Sequence, residues 1–145
     1  MKDKCFLDTN VFIYAIDTSP DLKDKRQIAR NLIKKHIQKE TGVISIQVLQ
    51  EFYQISTHKI QVPLSSEEAL EYLHYMAVLD TVHPELEMII SGIRLHQKYH
   101  LSFWDALVVQ AALTAGCTLL LSEDLQHGFE IDHLTVENPF PSKKI

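Results

Sequence analysis

Residues 5–16, CFLDTNVFIYAI, decide how the chain is read. Cys5-Phe6-Leu7 is a short apolar strand that runs directly into Asp8-Thr9-Asn10, and a helix starts over 11–15. The same device recurs at the far end, where the apolar strand 118–121 is followed three residues on by Asp124. In sheets of parallel strands, ligands bind outside the carboxyl ends of the strands. Both acids fall there.

Between these two stretches the pattern alternates. Residues 21–39 have helical composition, with Ile28, Leu32, Ile33 and Ile37 at helical spacing, and Gly42 reads as the helix stop. Residues 43–46 read as a strand and 47–58 as a helix. Pro63 and Ser65-Ser66 mark a turn, and Ser65 with Glu68 offers a capping box for a helix over 67–77. Residues 78–82 are another strand candidate. Pro84 opens a helix carrying Met88, Ile89, Ile93 and Leu95, Ser102 caps the next one, which ends near Gly116, and 134–136 form a last strand. Strands separated by helices predict an α/β fold, a three-layer α/β/α arrangement with a central parallel sheet. No linker, repeat or low-complexity tract divides the chain, so it reads as a single domain over 1–145.

Composition narrows the class. With 145 residues, 46% hydrophobic and 23% charged, the chain is long enough to bury a core and is neither disordered nor fibrous. No apolar run reaches 18 residues, which excludes a transmembrane helix, and Met1-Lys2-Asp3-Lys4 is not followed by a signal-peptide apolar region. The expectation is a cytoplasmic protein in which Cys5 and Cys117, both in strand-like runs, are buried free thiols. The net charge of −5 argues against non-specific nucleic-acid binding, but it hides an asymmetry. Residues 23–39 hold seven of the 14 basic residues against one acid, Asp24. Arg26 and Arg30 in that segment are candidates to hold phosphate or an acidic partner, the plain alternative being a solvated helix face. His96 and His100 share a helix face but lack a third metal ligand, and Trp104 reads as core.

Two further acids occupy positions where a solvated carboxylate does not belong. Glu51 lies among Val48, Phe52 and Ile55, and Asp105 among Val108, Val109 and Ala112, each on an apolar stripe at helical spacing. Each acid also has a local reading. Asp8 can close an Asx-turn with Asn10, Glu51 can pair with a lysine, Ser102 and Asp105 resemble a capping box, and Asp124 can cap a turn before Gly128. If all four converge, repulsion must either raise their pKa values or be neutralised by a cation. Oxygen-only ligands select Mg²⁺ or Mn²⁺, and such a site suits hydrolysis of phosphodiesters.

Residues 6–12 (FLDTNVF), 50–53 (QEFY), 103–107 (FWDAL) and 121–126 (LSEDLQ) resemble, in order, the motifs of PIN-domain nucleases. Within that family the chain is most similar to the VapC-type toxins of bacterial type II toxin–antitoxin systems. The resemblance implies a metal-dependent endoribonuclease with Asp8, Glu51, Asp105 and Asp124 as catalytic metal ligands. It sets Asn10 and Ser122 beside them in support and leaves Glu123 as an extra acid, the alternative to Asp124. It implies an RNA substrate, an antitoxin partner and a homodimer; Arg26 and Arg30 are, by charge alone, candidates to guide either the RNA backbone or the antitoxin toward the site. The rivals are a PIN nuclease that is not a toxin, a catalytically silent RNA-docking or assembly module, and an aspartyl-phosphate phosphotransferase. The last wants an acid where Asn10 stands.

Overall fold

The computed structural model describes residues 3–141. Met1-Lys2 and residues 142–145, which the signal-peptide and single-domain readings also cover, lie outside the described residues. Six strands and six helices follow in the order β1 (Cys5–Leu7), α1 (Thr9–Ile16), α2 (Lys23–Gln38), β2 (Gly42–Ser45), α3 (Ile46–His58), α4 (Ser66–Met76), β3 (Asp80–Val82), α5 (Leu86–Tyr99), α6 (Phe103–Thr114), β4 (Leu119–Leu121), β5 (Glu130–Ile131) and β6 (Leu134–Glu137), with a 3-10 turn at Pro20–Leu22 before α2. The strands form one sheet in the order β3-β2-β1-β4-β6-β5, flanked by the helices as three α/β/α layers.

All strand pairs are parallel except β5 against β6. The expected central parallel sheet is present, and one antiparallel pair is added at its edge. β5 is two residues long, and a segment that short shows no alternation to read. The central strands β1 and β2 are buried at every position, as a sheet covered on both faces requires. Phe6, Leu7, Ile44, Leu120 and Leu121 are core side chains with at most 1% exposure.

Local chemistry starts the helices. Asp8 caps α1 by accepting from the Thr9 N–H at 2.8 Å, and Ser45 caps α3 by accepting from the Val48 N–H at 3.3 Å. The capping box forms in full, with Ser65 Oγ accepting from the Glu68 N–H at 3.1 Å and Glu68 accepting from the Ser65 N–H at 3.0 Å. Gly42 is not the stop of α2. Glu40 takes the left-handed conformation (φ 55°) there, and Gly42 opens β2. A Cβ on Gly42 would lie 2.9 Å from Leu79 Cδ2 and 3.3 Å from His36 Cβ, so close packing explains that glycine. Trp104 is also not core: it is 62% exposed. Cys5 and Cys117 are free and buried, and burial pushes each thiol up to about 12. Among the described residues, no helix is long and apolar enough to cross a membrane.

Candidate active site

The sheet changes direction of build at β1. The chain goes from β1 to β2 and β3 on one side, then crosses to β4 and β6 on the other. The carboxyl ends of β1 and β4 therefore flank the switch point, the place where open α/β sheets bind ligands. Asp8 follows β1, and Ser122-Glu123-Asp124 follows β4. Glu51 lies in the second turn of α3, which begins directly after β2, and Asp105 is the third residue of α6. The amino ends of helices carry positive partial charge that favours nearby carboxylates, and Asp8 and Asp105 stand in or before a first helical turn.

Hydrogen bonds link these segments. Asp8 is 5% exposed, and its second oxygen accepts from Ser122 Oγ at 2.7 Å. Ser122, fully buried, also accepts from the Asp124 N–H at 3.1 Å and from Asn10 Nδ2 at 3.3 Å. The same Asn10 amide donates to Asp124 at 3.2 Å, while its oxygen accepts from the Glu123 N–H at 3.2 Å. Thr9 Oγ1 donates to one Glu51 oxygen at 2.8 Å, and Gln47 Nε2 donates to the other at 2.8 Å and to the Trp104 carbonyl at 3.3 Å. Glu51 is thus held by Thr9 and Gln47, not by a lysine. At Asp105 only half of the expected capping box forms, with Ser102 Oγ accepting from the Asp105 N–H at 3.1 Å.

Electrostatics links Asp8 and Asp105 to the same two acids. Burial pushes the Asp8 carboxyl from 3.8 up to about 6; the hydrogen bonds from Ser122 and Thr9 oppose the rise, and the charges of Glu51 and Asp124 add to it. Burial also raises Asp105, against the Ser102 hydrogen bond and with the charges of Asp124 and Glu51. Asp8 and Asp105 thus each feel two acids that are distant in sequence. The donor chemistry is that of a hard divalent cation, with carboxylate and hydroxyl or amide oxygens and neither sulfur nor imidazole. Among the described residues, no three His, Cys, Asp or Glu side chains are gathered closely enough to hold an ion as they stand. The carboxylates of Asp8, Glu51 and Asp124 accept hydrogen bonds from Thr9 and Ser122, from Thr9 and Gln47, and from Asn10.

The remaining candidates fall elsewhere. Arg26 Nη1 donates to the carbonyls of Asp17 (2.6 Å) and Ser19 (3.3 Å), and Arg30 Nε donates to that of Ala15 (2.8 Å). Both guanidinium groups therefore tie down the end of α1 and the segment after it. His100 turns into the left-handed region at the end of α5, and His96 Nδ1 meets the Leu101 carbonyl, so the two do not form a chelating pair. Sequence reasoning missed Thr9, Gln47, Tyr14 and Lys25. Gln47 had a signal, standing one helical turn before Glu51. Lys25 had none, because its partner Glu123 is 98 residues away.

Residues 5–129 match the family model described as the PIN domain, and the chain belongs to that family of nucleases. No curated protein matches its sequence. Among solved structures it is similar to DNA-bound VapBC from Salmonella typhimurium, at 19% identity and TM-score 0.66, covering 96% of this chain and 100% of that one. It is similar also to VapBC2 from Rickettsia felis bound to a promoter DNA fragment, at 20% identity and TM-score 0.65, covering 92% and 97% of the two chains. A third is VapC20 from Mycobacterium tuberculosis, a toxin that cleaves the sarcin–ricin loop, at 13% identity and TM-score 0.61, covering 81% and 87%. These likenesses establish a shared fold.

Proposed function

We propose that this chain is a single-domain endoribonuclease over 1–145 that depends on Mg²⁺ or Mn²⁺ and serves as the toxin of a cytoplasmic toxin–antitoxin pair. One observation carries the reading: at the switch point of the sheet, Asp8 and Asp105, from separate segments, both feel the charges of the same two acids, Glu51 and Asp124. These four would hold the metal. When bound, the cation neutralises phosphate charge and lowers the pKa of a coordinated water. The protein's part is orientation. Ser122 and the Thr9 N–H fix Asp8, Thr9 and Gln47 fix Glu51, and Asn10 fixes Asp124. RNA as substrate is supported by the described activity of VapC20.

An antitoxin partner is supported by the VapBC complexes among the similar structures and by an apolar groove. The groove, about 580 Å³, is lined by Phe12, Ile33, Phe52 and Tyr75, with Arg30 and Lys34 at the same cleft. It fits an amphipathic segment that brings apolar side chains and at least one carboxylate. Arg30 can meet that carboxylate with the donors it does not spend on Ala15. A homodimer accords with exposed Leu86 (69%) and Trp104 (62%).

Cleavage of RNA by the purified chain is expected to stop in EDTA and to return with excess Mg²⁺. Asp105→Asn is expected to lose on the order of 100-fold or more in rate with its far-ultraviolet dichroism unchanged. Full activity in EDTA, or in Asp105→Asn, would remove the site. A subtler effect is expected at Ser122. Ser122→Ala deletes the hydroxyl that favours ionised Asp8, so that carboxyl titrates higher still, the acid limb of the pH–rate profile moves up, and cleavage near neutrality falls about tenfold. An acid limb that stays in place would deny Ser122 this part.

A further inference from the structure

Glu123 neighbours Asp124 in the loop after β4, and sequence alone leaves either acid free to face the site. The structure spends both oxygens of Glu123 elsewhere. One accepts from the Tyr14 hydroxyl, and the other from Lys25 Nζ at 2.8 Å. Lys25 Nζ also donates to Tyr14 Oη at 3.2 Å and lies 4.8 Å from the centre of the Tyr14 ring. Tyr14 is wedged in turn, edge-on to Phe140 with ring centres 4.8 Å apart. The ion pair is partly buried, at 21% and 28% side-chain exposure, and is held at three corners, unlike an isolated surface pair.

The loop is therefore pinned from two sides. On the inner side Asn10 holds the Glu123 N–H and the Asp124 carboxylate. On the outer side the first turn of α2, through Lys25, and the last turn of α1, through Tyr14, hold the Glu123 carboxylate. Release of the outer anchor leaves Asp124 with its partners but lets the loop that carries it drift.

We propose that Lys25, Tyr14 and Glu123 form a strut that positions Asp124, so that Glu123 acts as a positioning residue and not as a metal ligand. This inference rests on the nuclease reading for its consequence, the affinity for the metal, but not for the strut itself. Outer partners of metal ligands change affinity about 10- to 100-fold when removed. Lys25→Met and Glu123→Gln should each weaken Mg²⁺ binding about tenfold by calorimetry, while kcat at saturating Mg²⁺ stays within about threefold of wild type. Their double variant should be no weaker than either single one, and Lys25→Arg should restore binding. In the metal-free protein, hydrogen exchange of the amides at 122–126 should speed up about tenfold in Lys25→Met.

Loss of all Mg²⁺ binding in Glu123→Gln would make Glu123 a ligand and overturn the proposal. So would exchange and affinity that remain at wild-type values in both variants. If the wild-type chain itself binds no Mg²⁺, the nuclease reading fails, and the exchange rates of the metal-free protein still decide for or against the strut.

Discussion

Asp8→Asn is expected to abolish RNA cleavage, by about three orders of magnitude or more, and at the same time to stabilise the metal-free protein near neutral pH. The two effects share a cause. Asp8 is almost wholly buried and carries its charge among Glu51 and Asp124. Its folded-state pKa, about 6, stands above its ordinary 3.8. Between those values the folded state binds more protons than the unfolded state, so stability falls as pH rises through the window and stays low above it. A rise from 3.8 to about 6 corresponds to a loss of about 3 kcal/mol. Asparagine carries no charge, so Asp8→Asn should flatten this slope and melt above wild type in EDTA at neutral pH, with the gap closing towards about pH 4. Equal melting temperatures at both pH values would show that Asp8 is not strained by its surroundings.

Excess Mg²⁺ is expected to raise the melting temperature of the wild-type chain by about 5–10 °C. A cation at 100 times its dissociation constant adds about 2.7 kcal/mol, and each kcal/mol moves a domain of this size by about 2–4 °C. The same addition should do little for Asp8→Asn or Asp105→Asn. It should flatten the pH slope of the wild type as well, since the cation takes over the work of the proton. A melting curve indifferent to Mg²⁺ in the wild type would count against a metal site at these four acids.

Much of this architecture could be read along the chain. The alternation of strands and helices foretold the layers, and the caps at Ser65 and Ser102 placed two helix starts within a residue. The strand-then-acid device at Leu7-Asp8 and Leu121–Asp124 pointed to the carboxyl ends of the strands, where those acids lie. What could not be read were contacts without a local signature. The order of strands is decided by packing between distant segments, and the two-residue β5 carries no pattern. Gly42 looks like a helix stop because glycine suits one, yet Glu40 tolerates the left-handed turn and the glycine serves Leu79 and His36 instead. Trp104 looks like core because tryptophan is apolar, but on α6 it stands 62% exposed. Lys25 reads as one charge in a basic stretch, and only the folded chain brings it to Glu123.

The pairing of β1 with β4 has a consequence for synthesis. Asp8 leaves the ribosome well before the hydroxyl that holds it, which belongs to Ser122, 114 residues later. Asp124 comes later still. Domains form as their residues become available, and a ribosome-bound chain that stops short of β4 has neither the central strand pair nor the fourth acid. On the nuclease reading proposed above, a nascent chain has its full set of four acids only once translation has passed the codon for Asp124.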